Sequence, residues 1–272
     1  MPHKFHFISG LPRSGSTLLS ALLKQNPRFH AGMSGPVAGM FNTLTGEMSG
    51  RNEFSVFITD EQRRRVLRSL FDNYYGPEFK QEVIFDTNRM WCTKLHQLNE
   101  LLPDSKVIAC VRHIPWVIDS IERLIRKNLF QPSSIFGYNP GGTVYQRADG
   151  LGSGDGLVGY SFNALKEGYN SETAGKQLML VQYESLTREP ARTLAAIYDF
   201  IGEPPFTHDF DNVEYDAHEF DMKAGTPGLH KVRNKVTPAE RQTILPPDLF
   251  RRFENDAFWR DPSLNVRKVR VV

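Results

Sequence analysis

The sequence predicts an α/β fold in three layers, with a central parallel sheet between two layers of helices. Three observations carry this reading. Short β-rich runs at residues 4–10, 82–86, 106–112 and 177–182 alternate with stretches of helical periodicity. The runs are almost continuously apolar, as strands covered on both faces must be. The first run also ends in glycine and passes through a tight turn into a helical pattern, giving a strand–loop–helix opening.

Taken in order, Lys4-Phe5-His6-Phe7-Ile8-Ser9-Gly10 reads as a buried strand, and Thr17-Leu18-Leu19-Ser20-Ala21-Leu22-Leu23 as the helix after it. Thr59 and Gln62 form a capping box that starts a second helix, with Val66, Leu67, Leu70, Phe71 and Tyr74 as its apolar stripe. Glu82–Asp86 and Lys106–Arg112 are further strands, and Pro115 suits the first turn of the helix that follows. Residues 131–160 are rich in glycine and aromatic residues and read as an irregular lid or acceptor-binding loop. Gln177–Gln182 is a fourth strand. Pro190 opens a helix striped by Leu194, Ile197, Tyr198 and Ile201 and stopped by Gly202. Thr237-Pro238-Ala239-Glu240 reads as another capping box, and Leu249, Phe250 and Phe253 as a last packed helix. No composition break divides the chain, so residues 1–272 are expected to form one domain.

Composition narrows the function. The 33 Lys and Arg residues nearly balance 31 Asp and Glu, for a net charge of +2, which argues against a dedicated nucleic-acid binder. The two cysteines, Cys92 and Cys110, lie in apolar stretches and form neither a disulfide framework nor a metal site. No apolar run is long enough to span a bilayer, and the expected setting is the cytoplasm. Nothing in the pattern argues against a homodimer.

Gly10-Leu11-Pro12-Arg13-Ser14-Gly15-Ser16-Thr17 matches the phosphate-binding loop G-x-x-x-x-G-K-[ST] at every fixed position except the lysine, which is Ser16. Glycines allow an anion to approach, and successive N–H groups at a helix start hold it. Ser14, Ser16 and Thr17 add hydroxyl donors, and Arg13 adds a cation. A triphosphate site normally needs the missing lysine and a magnesium ion. Neutral donors with one arginine suit a phosphosulfate, with no metal.

The segment Leu11–Leu18 resembles the 5′-phosphosulfate loop of sulfotransferases that use 3′-phosphoadenosine 5′-phosphosulfate (PAPS), in the form found in tyrosylprotein and bacterial members. The resemblance implies a P-loop NTPase-like sulfotransferase fold, with Pro12, Arg13, Ser14, Gly15, Ser16 and Thr17 at the donor and Arg13 on the sulfuryl group. The family's second motif is a strand-end arginine with a serine eight positions on, which holds the 3′-phosphate. Arg112 and Ser120 fit this spacing. A guanidinium and a hydroxyl make a sound phosphate clamp. Arg123 and Arg126 either add potential or form a solvated helix face. Tyr183-Glu184-Ser185-Leu186 is similar to the segment whose tyrosine lies near the adenine, though a tyrosine packed at a strand end fits equally. Gly225–Arg233 is similar to the late basic loop that closes over the nucleotide, which would bring Lys231 and Arg233 to it; a plain surface loop is the alternative. Arg89 stands where the family carries a polar residue facing the sulfuryl group.

The implied reaction moves a sulfuryl group from PAPS to a hydroxyl of a peptide tyrosine, a sugar or a small molecule, releasing adenosine 3′,5′-bisphosphate. The base departs from the family pattern. The glutamate of the tyrosylprotein type is absent from His30–Pro36, and the histidine of the cytosolic type is replaced by Asn88-Arg89. Glu47, His30 and Asp86 are the substitutes, with Glu47 the first candidate. Two other readings stay open. One is a magnesium-dependent nucleotide kinase or NTPase, for which Val83–Asp86 imitates the metal-holding strand. The other is a non-catalytic nucleotide-binding protein.

Overall fold

The computed structural model describes residues 3–130, 142–238 and 240–272. The elements run β1 (Lys4–Gly10), α1 (Ser16–Leu23), β2 (Phe29–Ala31), α2 (Val37–Glu47), α3 (Asp60–Tyr74), β3 (Val83–Thr87), α4 (Leu95–Leu101), β4 (Val107–Val111) and α5 (Ile114–Lys127). They continue with α6 (Val144–Gly152), α7 (Leu157–Asn170), α8 (Ala174–Gln177), β5 (Leu178–Gln182), α9 (Tyr183–Arg188), α10 (Pro190–Ile201), α11 (His218–Lys223), α12 (Pro247–Arg252) and β6 (Arg270–Val271).

The six strands form one sheet in the order β2-β3-β1-β4-β5-β6, and every neighbouring pair is parallel. Helices cover both faces, as the sequence predicts. Alternation along the strands feeds two cores. Phe5, Phe7, Ile84, Val107 and Ala109 point to one side and meet Phe41, Phe71, Val117, Ile121 and Leu165 from helices. Ile8, Val83, Phe85, Ile108 and Cys110 point to the other and meet Leu19, Leu22, Leu194 and Ile197. Burial on both faces explains why the strands read as unbroken apolar runs.

Several local expectations hold. Thr59 and Gln62 cap α3 reciprocally, and Leu67 and Phe71 are buried, although Val66 turns outward and is 40% exposed. Gly202 ends α10 at φ 68°, a left-handed conformation that glycine takes without Cβ strain. Cys92 and Cys110 are buried free thiols.

Two expectations are corrected. The segment 131–160 is not one irregular loop. Residues 131–141 lie outside the described residues, but Thr143 and Gln146 form a real capping box for α6, and α7 starts at Leu157. Its glycines serve close packing. A Cβ on Gly159 would fall 1.8 Å from the Ser153 carbonyl oxygen, and one on Gly156 would fall 2.0 Å from that of Gly150. The apparent capping box at Thr237–Glu240 starts no helix among the described residues. A buried carboxylate captures that chain instead: Asp119 Oδ1 accepts from Ile244 N–H at 2.8 Å and from the Thr243 hydroxyl at 3.1 Å. Pro246 and Pro247 then break any continuing helix. Among the described residues no helix is long and apolar enough to cross a membrane.

Candidate active site

The sheet dictates where a ligand can sit. β1 lies between β3 and β4, so the chain leaves β1 toward one edge of the sheet and leaves β4 toward the other. Such a switch point opens a crevice at the carboxyl ends of the strands. A cavity of about 310 Å3 occupies this place.

The loop after β1 forms its floor. Gly10 has φ 103°, and a Cβ there would sit 2.2 Å from the Cys110 carbonyl oxygen, so only glycine lets β1 run this close to β4. Arg13 holds φ 57° and Gly15 φ 98°, two left-handed residues that curl the chain before α1. A left-handed arginine costs roughly 1–3 kcal/mol and is retained where the surroundings fix it. Gly15 is the N-cap of α1 and no side chain caps the helix, which leaves the first-turn N–H groups for a ligand. Pro12, Arg13, Gly15, Ser16 and Thr17 line the cavity. Ser14 does not fulfil its expected part: its hydroxyl donates to the carbonyls of Leu11 and, at 2.8 Å, of Cys110, and so braces the loop from beneath.

Arg112 leaves the end of β4 and lines the same cavity with Ser120 of α5. Its guanidinium stacks on the Tyr183 ring at 4.1 Å and donates to the Arg13 carbonyl at 3.4 Å, while its buried Nε–H has no acceptor among the described residues. Arg13 Nε–H donates to Ser120 Oγ at 3.2 Å, and another of its N–H groups donates to the Leu229 carbonyl. The two anion-binding segments expected from the sequence are therefore directly joined, through the Arg13 side chain. Burial, with Arg112 nearby, pushes the Arg13 guanidinium down to about 10. Burial also lowers Arg112 and Arg89.

The remaining expected residues divide. Arg89, Tyr183, Lys231 and Arg233 line the cavity. Arg123 and Arg126 are tied to Asp119 and Glu122 one turn earlier on α5, each at 2.9 Å. None of the three substitute bases lines the cavity. Glu47 is exposed at the end of α2, where it accepts from Asn52 at 3.5 Å. His30 packs between the Tyr75 and Phe79 rings. Asp86 is buried, with one oxygen accepting from the Tyr75 hydroxyl at 2.6 Å and the other from Trp91 Nε1–H at 2.7 Å. Burial, the leading cause, raises its carboxyl, so the resemblance to a metal-holding strand ends in a core network.

Sequence reasoning missed Arg241. It lines the cavity, lies 2.7 Å from Asp119 Oδ2, and keeps its buried Nε–H without an acceptor among the described residues. The misread capping box beside it concealed the signal. Altogether, Arg13, Arg89, Arg112, Lys231, Arg233, Lys235 and Arg241 line the cavity among the described residues, and no carboxylate does. Uncompensated guanidinium N–H groups in a buried site are expected to find an anion.

Comparison with known proteins agrees with this chemistry. A model of the sulfotransferase family matches residues 6–208. Among solved structures, the sulfotransferase domain from the curacin biosynthetic pathway is 18% identical, with 94% of this chain and 91% of that chain covered and a TM-score of 0.52. The sulfotransferase domain of the Synechococcus PCC 7002 olefin synthase is 22% identical over 93% of this chain and 94% of that chain, with a TM-score of 0.45. A sulfotransferase from Alicyclobacillus acidocaldarius is 17% identical over 77% and 85%, with a TM-score of 0.44. Comparison with curated protein sequences finds no match. The family match covers most of the chain, and the chain belongs to the sulfotransferase family.

Proposed function

We propose that the cavity binds PAPS and that the protein transfers its sulfuryl group to an acceptor hydroxyl without a metal ion. The observation that carries this reading is the lining itself: seven cationic side chains, two of them with an orphaned N–H, and no carboxylate among the described residues. The amides of Gly15–Thr17, with Ser16 and Thr17, receive the 5′-phosphosulfate. Arg112 and Ser120, with Arg241 beside them in the cavity, receive the 3′-phosphate, and Arg13 serves the sulfuryl group and the bridging oxygen. Tyr183 lies beside the adenine, Lys231 and Arg233 close over the nucleotide, and Arg89 faces the sulfuryl group.

In the reaction the acceptor oxygen attacks sulfur, and the bond between sulfur and the bridging phosphate oxygen breaks. Negative charge gathers on that bridging oxygen and leaves with adenosine 3′,5′-bisphosphate. The protein contributes mainly position and preorganised positive charge. A magnesium-dependent kinase is the weaker reading, because a metal bridging phosphates needs a carboxylate or similar oxygen ligand at the site, and Asp86 is committed to Tyr75 and Trp91.

The test is transfer from sulfur-labelled PAPS, in EDTA, to a tyrosine peptide, an amino sugar and a primary alcohol. Label is expected in at least one acceptor, or as sulfate released slowly to water. Intact donor throughout, together with magnesium-dependent loss of the γ-phosphate from ATP, would contradict the reading.

A further inference from the structure

The sequence leaves the reaction without a base, and the structure removes all three substitutes from the cavity. One group replaces them. Among the described residues that line the cavity, His230 is the single imidazole, and no carboxylate accompanies it. It is held by Asp221, which is buried on α11. Asp221 Oδ2 accepts from the His230 backbone N–H at 2.9 Å, and Oδ1 accepts from His230 Nδ1–H at 2.6 Å.

This geometry fixes the chemistry of the ring. A carboxylate can only accept, so Nδ1 carries the hydrogen and Nε2 of the neutral ring carries a lone pair. Nε2 makes no hydrogen bond among the described residues; the ring packs at 67° to that of Phe220, which also lines the cavity. The location also suits the task. His230 follows Leu229, whose carbonyl accepts from Arg13. Tyr215 accepts the Met33 N–H at 2.6 Å, and Met33 and Ser34 line the cavity. His230 thus shares the cavity with Arg13 and with Met33 and Ser34 of the 30–36 segment, in which the sequence shows no glutamate.

Resting on the PAPS reading above, we propose that His230 is the catalytic base and that Asp221 is its positioning residue. His230 Nε2 takes the proton of the acceptor hydroxyl as that oxygen bonds to sulfur. The electron pair of the breaking sulfur–oxygen bond leaves with the bisphosphate. The imidazolium, balanced by Asp221, later returns its proton to water. The arrangement also gives the loop 225–233 a second task beside closing over the nucleotide, since the same closure delivers the base.

The test uses the full chain with PAPS and follows sulfate release to water and transfer to the three acceptors named above. His230→Ala is expected to lower turnover about a hundredfold or more. Its affinity for adenosine 3′,5′-bisphosphate should stay within about twofold of the parent, and added imidazole should restore at least part of the lost rate. His230→Gln, closer in volume, should lose as much rate, and Asp221→Asn should lose less than either. Unchanged turnover in both histidine variants overturns the base assignment while leaving the PAPS reading intact. So does a rate loss that imidazole does not relieve and that follows a fall in nucleotide affinity or melting temperature, since that reports only a staple for the loop. A parent protein that consumes no donor overturns the PAPS reading, and the base assignment with it.

Discussion

Arg112 is legible as a residue of the cavity because its neighbours in sequence supply the reason: a strand that must end there, a helix that begins two residues later, and Ser120 two turns along. Arg241 was not legible, because its role comes from Asp119, far away in sequence and buried in α5. His230 escaped for the same cause, since the pairing with Asp221 depends on how residues 221–230 close on themselves. Single residues also set the response to acid. His6 is buried in β1, its Nδ1 accepts from the Lys106 N–H, and its pKa falls to about 3 from 6.5, chiefly through burial. His30 and His208 are lowered by burial too. Above the unfolded value of 6.5 both folded and unfolded chains are neutral at His6, and no penalty arises. As pH falls below it, the unfolded chain gains a proton that the fold refuses until about 3. This costs about 2 kcal/mol by pH 5 from His6 alone. The midpoint of urea unfolding is therefore expected to drop between pH 7 and pH 5, and His6→Asn to flatten part of that slope. A parent profile level across this range would count against a neutral buried His6.

Elements were legible where periodicity is long and both ends are marked. α3 has a capping box and a stripe, and α10 has proline at one end and glycine at the other. The strands β2 and β6 were missed because three and two residues are too few to show a period. Glycine in the 142–160 stretch marks close packing, not looseness. Between α6 and α7 the glycines let backbone meet backbone, and the close approach at Gly159 is a tertiary fact that composition cannot express. Gly159→Ala is expected to destabilise the fold by about 1–3 kcal/mol, because the added methyl has no room and α7 must shift. Calorimetric melting would check this, and an unchanged or higher melting temperature would show that the 150–159 turn yields easily.

At the scale of the molecule, the layer architecture followed from the sequence, whereas the strand order did not. The order matters most for function, because it puts β4 beside β1 and so joins Arg112 to the Gly10–Thr17 loop. Residues from the ends of β1, β3, β4 and β5 and from the late segment 220–241 then meet in one basic cavity. Net charge conceals this. A chain balanced to +2 overall brings seven of its 33 Lys and Arg side chains to the carboxyl ends of the strands, and among the described residues no carboxylate lines that cavity. Such focusing favours a small polyanion over extended nucleic acid.

The central claim, that this cavity holds a doubly phosphorylated adenosine, is tested most directly by titration calorimetry with adenosine 3′,5′-bisphosphate in EDTA. One molecule per chain is expected to bind, and Arg112→Ala to weaken it by about tenfold or more, as loss of a charge-assisted hydrogen bond requires. Tighter binding of magnesium ATP than of the bisphosphate, or equal affinity in the parent and in Arg112→Ala, would contradict the account.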